Sequence, residues 1–189
     1  MMENRTETTL VIGGCRSGKS RYALDAANEM AGEGKVYLAT SVPTDDEMKN
    51  RVHRHQAERG PDWKTVEEPV DIHRAISDAS KSARVILVDC LTLWTSNLLF
   101  QGNDEAGIMA AVDELALSLE QASCPVFLVS NEVGYGIVPE NSLARQFRDM
   151  AGLVNQRVAA AADRVILTVA GIDVQIKPKT GQGLPAGGF

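Results

Sequence analysis

No stretch of this sequence reaches the roughly 18 consecutive apolar residues that a membrane-spanning helix requires, so no integral membrane segment is expected. The opening residues, MMENRTETT, contain no apolar core of the kind that directs export. Cysteine is scarce: Cys15, Cys90 and Cys124 lack metal-ligand spacing and form an odd set for a disulfide framework. Reduced thiols in a cytoplasm are the simplest reading. Positive charge is in deficit, with 19 Lys and Arg against 25 Asp and Glu and a net charge of -6. That balance argues against a general electrostatic grip on nucleic acid. A small anionic substrate stays compatible, because a few local cations can serve a site on an acidic protein.

What is present is ordinary globular material. With 44% hydrophobic and 23% charged residues over 189 positions, the chain can build one full core and has no comfortable room for two. No internal repeat or linker divides the middle, so one catalytic domain is expected over residues 9–177. The polar residues 1–8 and the Gly- and Pro-rich residues 178–189 are expected to be disordered tails. Short apolar runs alternate with longer amphipathic stretches, the pattern of a parallel sheet flanked by helices. Strands are expected at Leu10–Ile12, Val36–Ala39, Val85–Val88, Val126–Val129 and Val165–Val169. A further strand, Val174–Ile176, follows a turn at Gly171 and should run antiparallel to its predecessor. Helices are expected near Lys19–Met30, Asp45–Arg59, Val70–Lys81, Leu93–Phe100, Glu105–Gln121 and Asn141–Ala161.

The segment LVIGGCRSGKS reads as strand, glycine turn and helix start, with Gly13, Gly18, Lys19 and Ser20 spaced G-x-x-x-x-G-K-S. This spacing suits phosphate: glycines allow successive backbone N–H groups to turn inward, and the helix adds its positive end. Lys19 supplies a charge for the β- and γ-phosphates, and the Ser20 hydroxyl can ligate Mg²⁺. The expected fold is therefore α/β, a P-loop NTPase of RecA-like type: a mostly parallel sheet flanked by helices, with a C-terminal antiparallel strand. Such a site needs a carboxylate for the metal's water shell at the end of another strand. The run VILVDC places Asp89 there. The competing reading is a helix N-cap, since a helical stretch follows.

Thr44, Asp45, Asp46 and Glu47 read as a capping box opening a helix. At about 100° per residue, Met48, Arg51, Val52, His55 and Arg59 share one face, and His53 lies far around from it. His55 beside Arg51 and Arg59 suits an imidazole over an anion, with guanidinium donors for phosphate. Neighbouring positive charge favours the neutral, nucleophilic ring. A surface or structural histidine among arginines is the plainer alternative.

With these segments together, the chain resembles the bifunctional adenosylcobinamide kinase/adenosylcobinamide-phosphate guanylyltransferases of cobalamin biosynthesis. The resemblance rests on GGCRSGKSRYA, YLATS, DDEMKNRVHRHQAERGPDW, VDCLTLWTSNLLF and SNEVGYGIVPENSLARQFRDMAGLVNQRVAAAADRV, nearly the whole chain outside the tails. It implies phosphorylation of adenosylcobinamide by ATP or GTP. Transfer of GMP from GTP to adenosylcobinamide phosphate then follows, through a histidine–GMP intermediate with release of pyrophosphate. The family's R-x-x-x-H pattern falls on Arg51 and His55, making His55 the nucleophile beside Lys19. Nucleotide-binding positions implied by the family are Gly13, Gly14, Cys15, Arg16, Ser17, Gly18, Lys19 and Ser20, then Ala39, Thr40 and Ser41. They continue with Gln56, Ala57, Glu58, Arg59, Glu67 and Asp89, and Ser20 and Asp89 would serve Mg²⁺. Cys15 departs from the alanine common at its position. A homotrimer is also implied.

Other classes remain open at this point. A GTP-dependent switch usually reads guanine with N-K-x-D after a strand, and the nearest segment here is Asn131-Glu132-Val133-Gly134. That loop, with glycines at 134 and 136, could equally meet the corrinoid or be a plain turn. A recombinase-like motor would need a basic surface. A monofunctional small-molecule kinase would share the P-loop and Asp89 but have no use for a covalent His55.

Overall fold

The computed structural model describes residues 6–42 and 59–178. The strands are β1 (Thr8–Gly13), β2 (Lys35–Ala39), β3 (Trp63–Glu67), β4 (Val85–Asp89), β5 (Val126–Asn131), β6 (Arg164–Val169) and β7 (Ile172–Lys177). The helices are α1 (Lys19–Met30), α2 (Ile72–Ser80), α3 (Leu91–Phe100), α4 (Glu105–Gln121) and α5 (Ser142–Ala161). The strands form one sheet in the order β3-β2-β4-β5-β1-β6-β7. Pairing is parallel throughout except for β6 with β7, the antiparallel pair expected after Gly171.

Both faces of this sheet are covered, which is why its central strands read as continuous apolar runs rather than alternations. Side chains still alternate between faces. Leu10, Leu38, Ile86, Val88 and Leu128 pack under the helices α2 to α5, in a core that includes the fully buried Trp94 and Leu115. Val11, Tyr37, Leu87, Phe127 and Val129 face the other way, against Ala23 and Ala27 of α1. Small residues on α1 let that helix lie close to the sheet, and so fix the loop that precedes it.

Two expectations need correction, and one competing reading falls. Trp63–Glu67 was not expected as a strand, yet β3 pairs along its whole length with β2. Its start is anchored by Asn28, whose Oδ1 accepts from Trp63 Nε1 at 3.1 Å and from Lys35 Nζ at 2.9 Å. Residues 6–8 are not a loose tail. Thr8 belongs to β1, the Thr6 hydroxyl donates to the Ala122 carbonyl at 2.6 Å, and Glu7 accepts from Arg164 at 3.0 Å. Finally, the residue at the N-cap of α3 is Cys90, so Asp89 does not cap that helix. The expected helix Asp45–Arg59, with its capping box, lies outside the described residues except for Arg59.

Candidate active site

In a parallel sheet every strand delivers its following loop to the same edge, where ligands bind in open α/β folds. Gly13, Ala39, Glu67 and Asp89 each end their strands there. The loop from Gly13 to Ser20 turns tightly, with Arg16 at φ 55° and Gly18 at φ 103°. Gly14, Cys15 and Arg16 are exposed, and Ser17 and Lys19 are buried. Lys19 Nζ donates to the Gly14 carbonyl at 3.0 Å, which keeps the ammonium folded over the loop. The turn between β6 and β7 supports it from behind. Gly171 N donates to the Ser17 carbonyl at 2.8 Å, and Ser17 Oγ lies 2.7 Å from Thr168 Oγ1.

A cavity of about 400 Å³ opens beside this loop, lined by Ser20, Arg21, Leu24, Asp25, Tyr37, Arg59, Leu87 and Asp89. It therefore brings together three sequence-predicted residues from separate segments: Ser20, Arg59 and Asp89. Asp89 Oδ2 accepts a hydrogen bond from the Tyr37 hydroxyl at 3.0 Å. Burial, with the Asp89 charge adding to it and Arg59 opposing, pushes the Tyr37 phenol well above its ordinary range, so it stays a donor. The Arg59 guanidinium stacks on the Tyr37 ring with Cζ 3.4 Å from the centroid, and its Nη2 lies 3.5 Å from Thr65 Oγ1. A hydroxyl and a carboxylate on one cavity are hard oxygen donors that fit Mg²⁺.

Thr40, just beyond β2, is fully buried and spends its polar groups on structure. Its hydroxyl donates to the Cys90 carbonyl at 2.8 Å and accepts from Cys90 N at 2.7 Å. Its carbonyl accepts from Asn97 Nδ2 at 2.8 Å. Ala39 is buried, Ser41 is half-buried and Glu67 is exposed. His55, Gln56, Ala57 and Glu58 lie outside the described residues. The loop after β5 is tied to the phosphate loop, since Glu132 N donates to the Gly13 carbonyl at 3.0 Å. Farther along it, Tyr135 and Ile137 are exposed.

Sequence reasoning missed Tyr37 and the Ser17–Thr168 support. A phenol inside an otherwise apolar strand was the available signal for the first. The second joins residues 151 positions apart and leaves no local trace.

Residues 9–176 match the family described as cobinamide kinase / cobinamide phosphate guanyltransferase. The chain is similar to the bifunctional adenosylcobalamin biosynthesis protein CobU of Escherichia coli (strain K12), with 42% identity over 182 residues, 89% of this chain and 98% of that protein. The CobU of Salmonella typhimurium is 43% identical over the same shares. The bifunctional adenosylcobalamin biosynthesis protein CobP of Pseudomonas aeruginosa is 39% identical over 89% of this chain and 96% of its own length. Among solved structures, a KaiC-like protein from Pyrococcus horikoshii OT3 matches with a TM-score of 0.53 at 18% identity, covering 86% of this chain and 71% of that one. That last likeness concerns the fold alone, a RecA-like P-loop sheet. Matched along nearly its full length, this chain belongs to the cobinamide kinase / cobinamide phosphate guanyltransferase family.

Proposed function

We propose that this enzyme carries out two consecutive transfers on adenosylcobinamide. First it phosphorylates the substrate's aminopropanol hydroxyl with ATP or GTP. It then moves GMP from GTP onto the new phosphate, giving adenosylcobinamide-GDP and pyrophosphate. The observation that carries the reading is the single cavity on which Ser20 of the phosphate loop, Asp89 of β4 and Arg59 of the histidine segment meet.

In the first transfer the substrate oxygen attacks the γ-phosphorus, the β–γ bridge breaks with the nucleoside diphosphate leaving, and the hydroxyl proton passes to solvent. The chain's part is positioning and charge: loop N–H groups and Lys19 hold the phosphates while negative charge spreads over the moving group. Mg²⁺, held through the Ser20 hydroxyl and oriented by Asp89, would add charge neutralisation between the phosphate oxygens. In the second transfer a His55 nitrogen attacks the α-phosphorus of GTP and pyrophosphate departs. The substrate phosphate then displaces the imidazole from phosphorus. Arg59, and Arg51 by its place in the sequence, would be phosphate donors around that nitrogen.

Mass identification of products from adenosylcobinamide and GTP tests the overall reaction. The histidine is tested without corrinoid: enzyme, Mg²⁺ and α-labelled GTP should give one acid-labile, alkali-stable GMP adduct. His55→Ala should abolish it and His53→Ala should retain it. Label mapped to His53 or to Lys19 would remove His55 as the nucleophile, and label on no residue would remove the covalent step. Exposure of Val169, Ile172, Val174 and Ile176 on β6 and β7 is consistent with the homotrimer that the family resemblance implies.

A further inference from the structure

Strand pairing sets Tyr37 opposite Leu87 and Ala39 opposite Asp89. By the two-residue alternation of a strand, Tyr37, Leu87 and Asp89 project from one face of the sheet, and all three line the cavity. The Tyr37 hydroxyl reaches Asp89 at 3.0 Å while the Arg59 guanidinium covers its ring at 3.4 Å. The ring is itself fixed. It is 8% exposed and meets the Trp63 ring edge-on at 6.3 Å and 83°. Trp63 is in turn tied by its indole N–H to Asn28 on α1.

We propose that Tyr37 is a positioning residue that holds the Asp89 carboxylate and the Arg59 guanidinium in one fixed arrangement, linking the centre for phosphoryl transfer to the centre for guanylyl transfer. The two tasks need different ends of one side chain. A flat aromatic face orients a guanidinium, and a hydroxyl at the far end orients a carboxylate that faces a metal. Phenylalanine keeps only the first ability, and an aliphatic residue keeps neither. The inference rests on reading Asp89 as the metal-facing carboxylate and Arg59 as a phosphate donor.

The test separates the two ends. Mn²⁺ binding is followed by loss of the free-ion electron paramagnetic resonance signal, with the β,γ-imido analogue of GTP present. GMP labelling from GTP is timed at saturating Mg²⁺. Tyr37→Phe should weaken Mn²⁺ binding about tenfold, the lower end of the effect usual for partners of metal-facing groups. Tyr37→Leu should weaken it similarly and label about tenfold more slowly than Tyr37→Phe. Arg59→Lys keeps the charge but loses the flat stack, so it should slow labelling as Tyr37→Leu does. Unslowed labelling in Arg59→Lys would overturn the role of the stack even if the leucine variant misfolds. Unchanged Mn²⁺ binding in Tyr37→Phe, with Asp89→Asn weakened, overturns the proposal alone. Unchanged binding in both overturns the reading of Asp89 as well. Equal labelling in all variants removes the link to the second transfer.

Discussion

At Gly13 a side chain of any size meets the phosphate loop itself and the neighbouring strand β6, where Thr168 is its register partner. A Cβ built there would lie 2.5 Å from Ser17 Oγ, from the Thr168 carbonyl and from Thr168 Oγ1. The Thr168 carbonyl is backbone and cannot move aside alone. Gly13→Ala should therefore lose about 1–3 kcal/mol of stability, the usual cost of overpacking. The check is a lower denaturant midpoint at an unchanged slope. Thiol chemistry gives a second residue-scale prediction. Cys90 and Cys124 are buried, and burial pushes both thiols up to about 11, with the Asp89 charge adding to the effect at Cys90. Raised values mean that the reactive thiolate is scarce below that range. Cys15 is exposed on the phosphate loop. Titration with a thiol reagent at pH 8 should show one fast group per chain, slowed by GTP. Three fast groups, or no effect of GTP, would contradict the placement.

Elements far apart in the chain hold the phosphate loop and its neighbours in place. The β6–β7 turn, with Ala170 at φ 53° and Gly171 at φ 80°, has the two positive φ values of a tight hairpin turn. That shape lets Gly171 reach Ser17. Across the site α3 acts as a clamp. Asn97 Nδ2 donates to the Thr40 carbonyl at 2.8 Å and to the Pro69 carbonyl at 2.9 Å, joining the segments that follow β2 and β3. Asn97→Ala would strip both carbonyls of this donor, so a loss of about 1–3 kcal/mol is expected. Hydrogen exchange should show it locally, as faster exchange in the segments around Thr40 and Pro69. An unchanged pattern would mean those segments are held by other contacts. β3 shows why this scale is hard to read from sequence. WKTVE carries too few apolar residues to announce a strand, and it forms because β2 offers a free edge and Asn28 anchors its first residue.

For the whole molecule, the sheet order decides which segments can cooperate. β4 and β5 lie between β1 and β2, yet parallel pairing brings the ends of all four strands to one edge. The opposite flank closes on β7, where Ile172, Val174 and Ile176 alternate along one strand, each at least half exposed, and Val169 sits opposite Ile172. A row of apolar side chains on an outer strand invites association. If the implied trimer uses this surface, light scattering should give the mass of three chains, and Val174→Asp should shift it to one. A trimer untouched by that change would place the interface elsewhere. Among the described residues no helix is long and apolar enough to cross a membrane.

The sequence by itself determined the phosphate loop, the position of Asp89 at a strand end, and most of the helices and strands. Each of these depends on neighbours a few residues away: glycine spacing around Lys19, apolar runs before the loop and before Asp89, and helical periodicity. It also placed His55 and His53 on different sides of an expected helix, which lies outside the described residues. Only the tertiary structure decided that Tyr37 touches both Asp89 and Arg59, that Thr168 and Gly171 brace the loop from 151 and more residues away, and that β3 joins the sheet. Those contacts arise from strand order and from alternation across paired strands. Neither is encoded within a short window, because each depends on which distant segment arrives alongside.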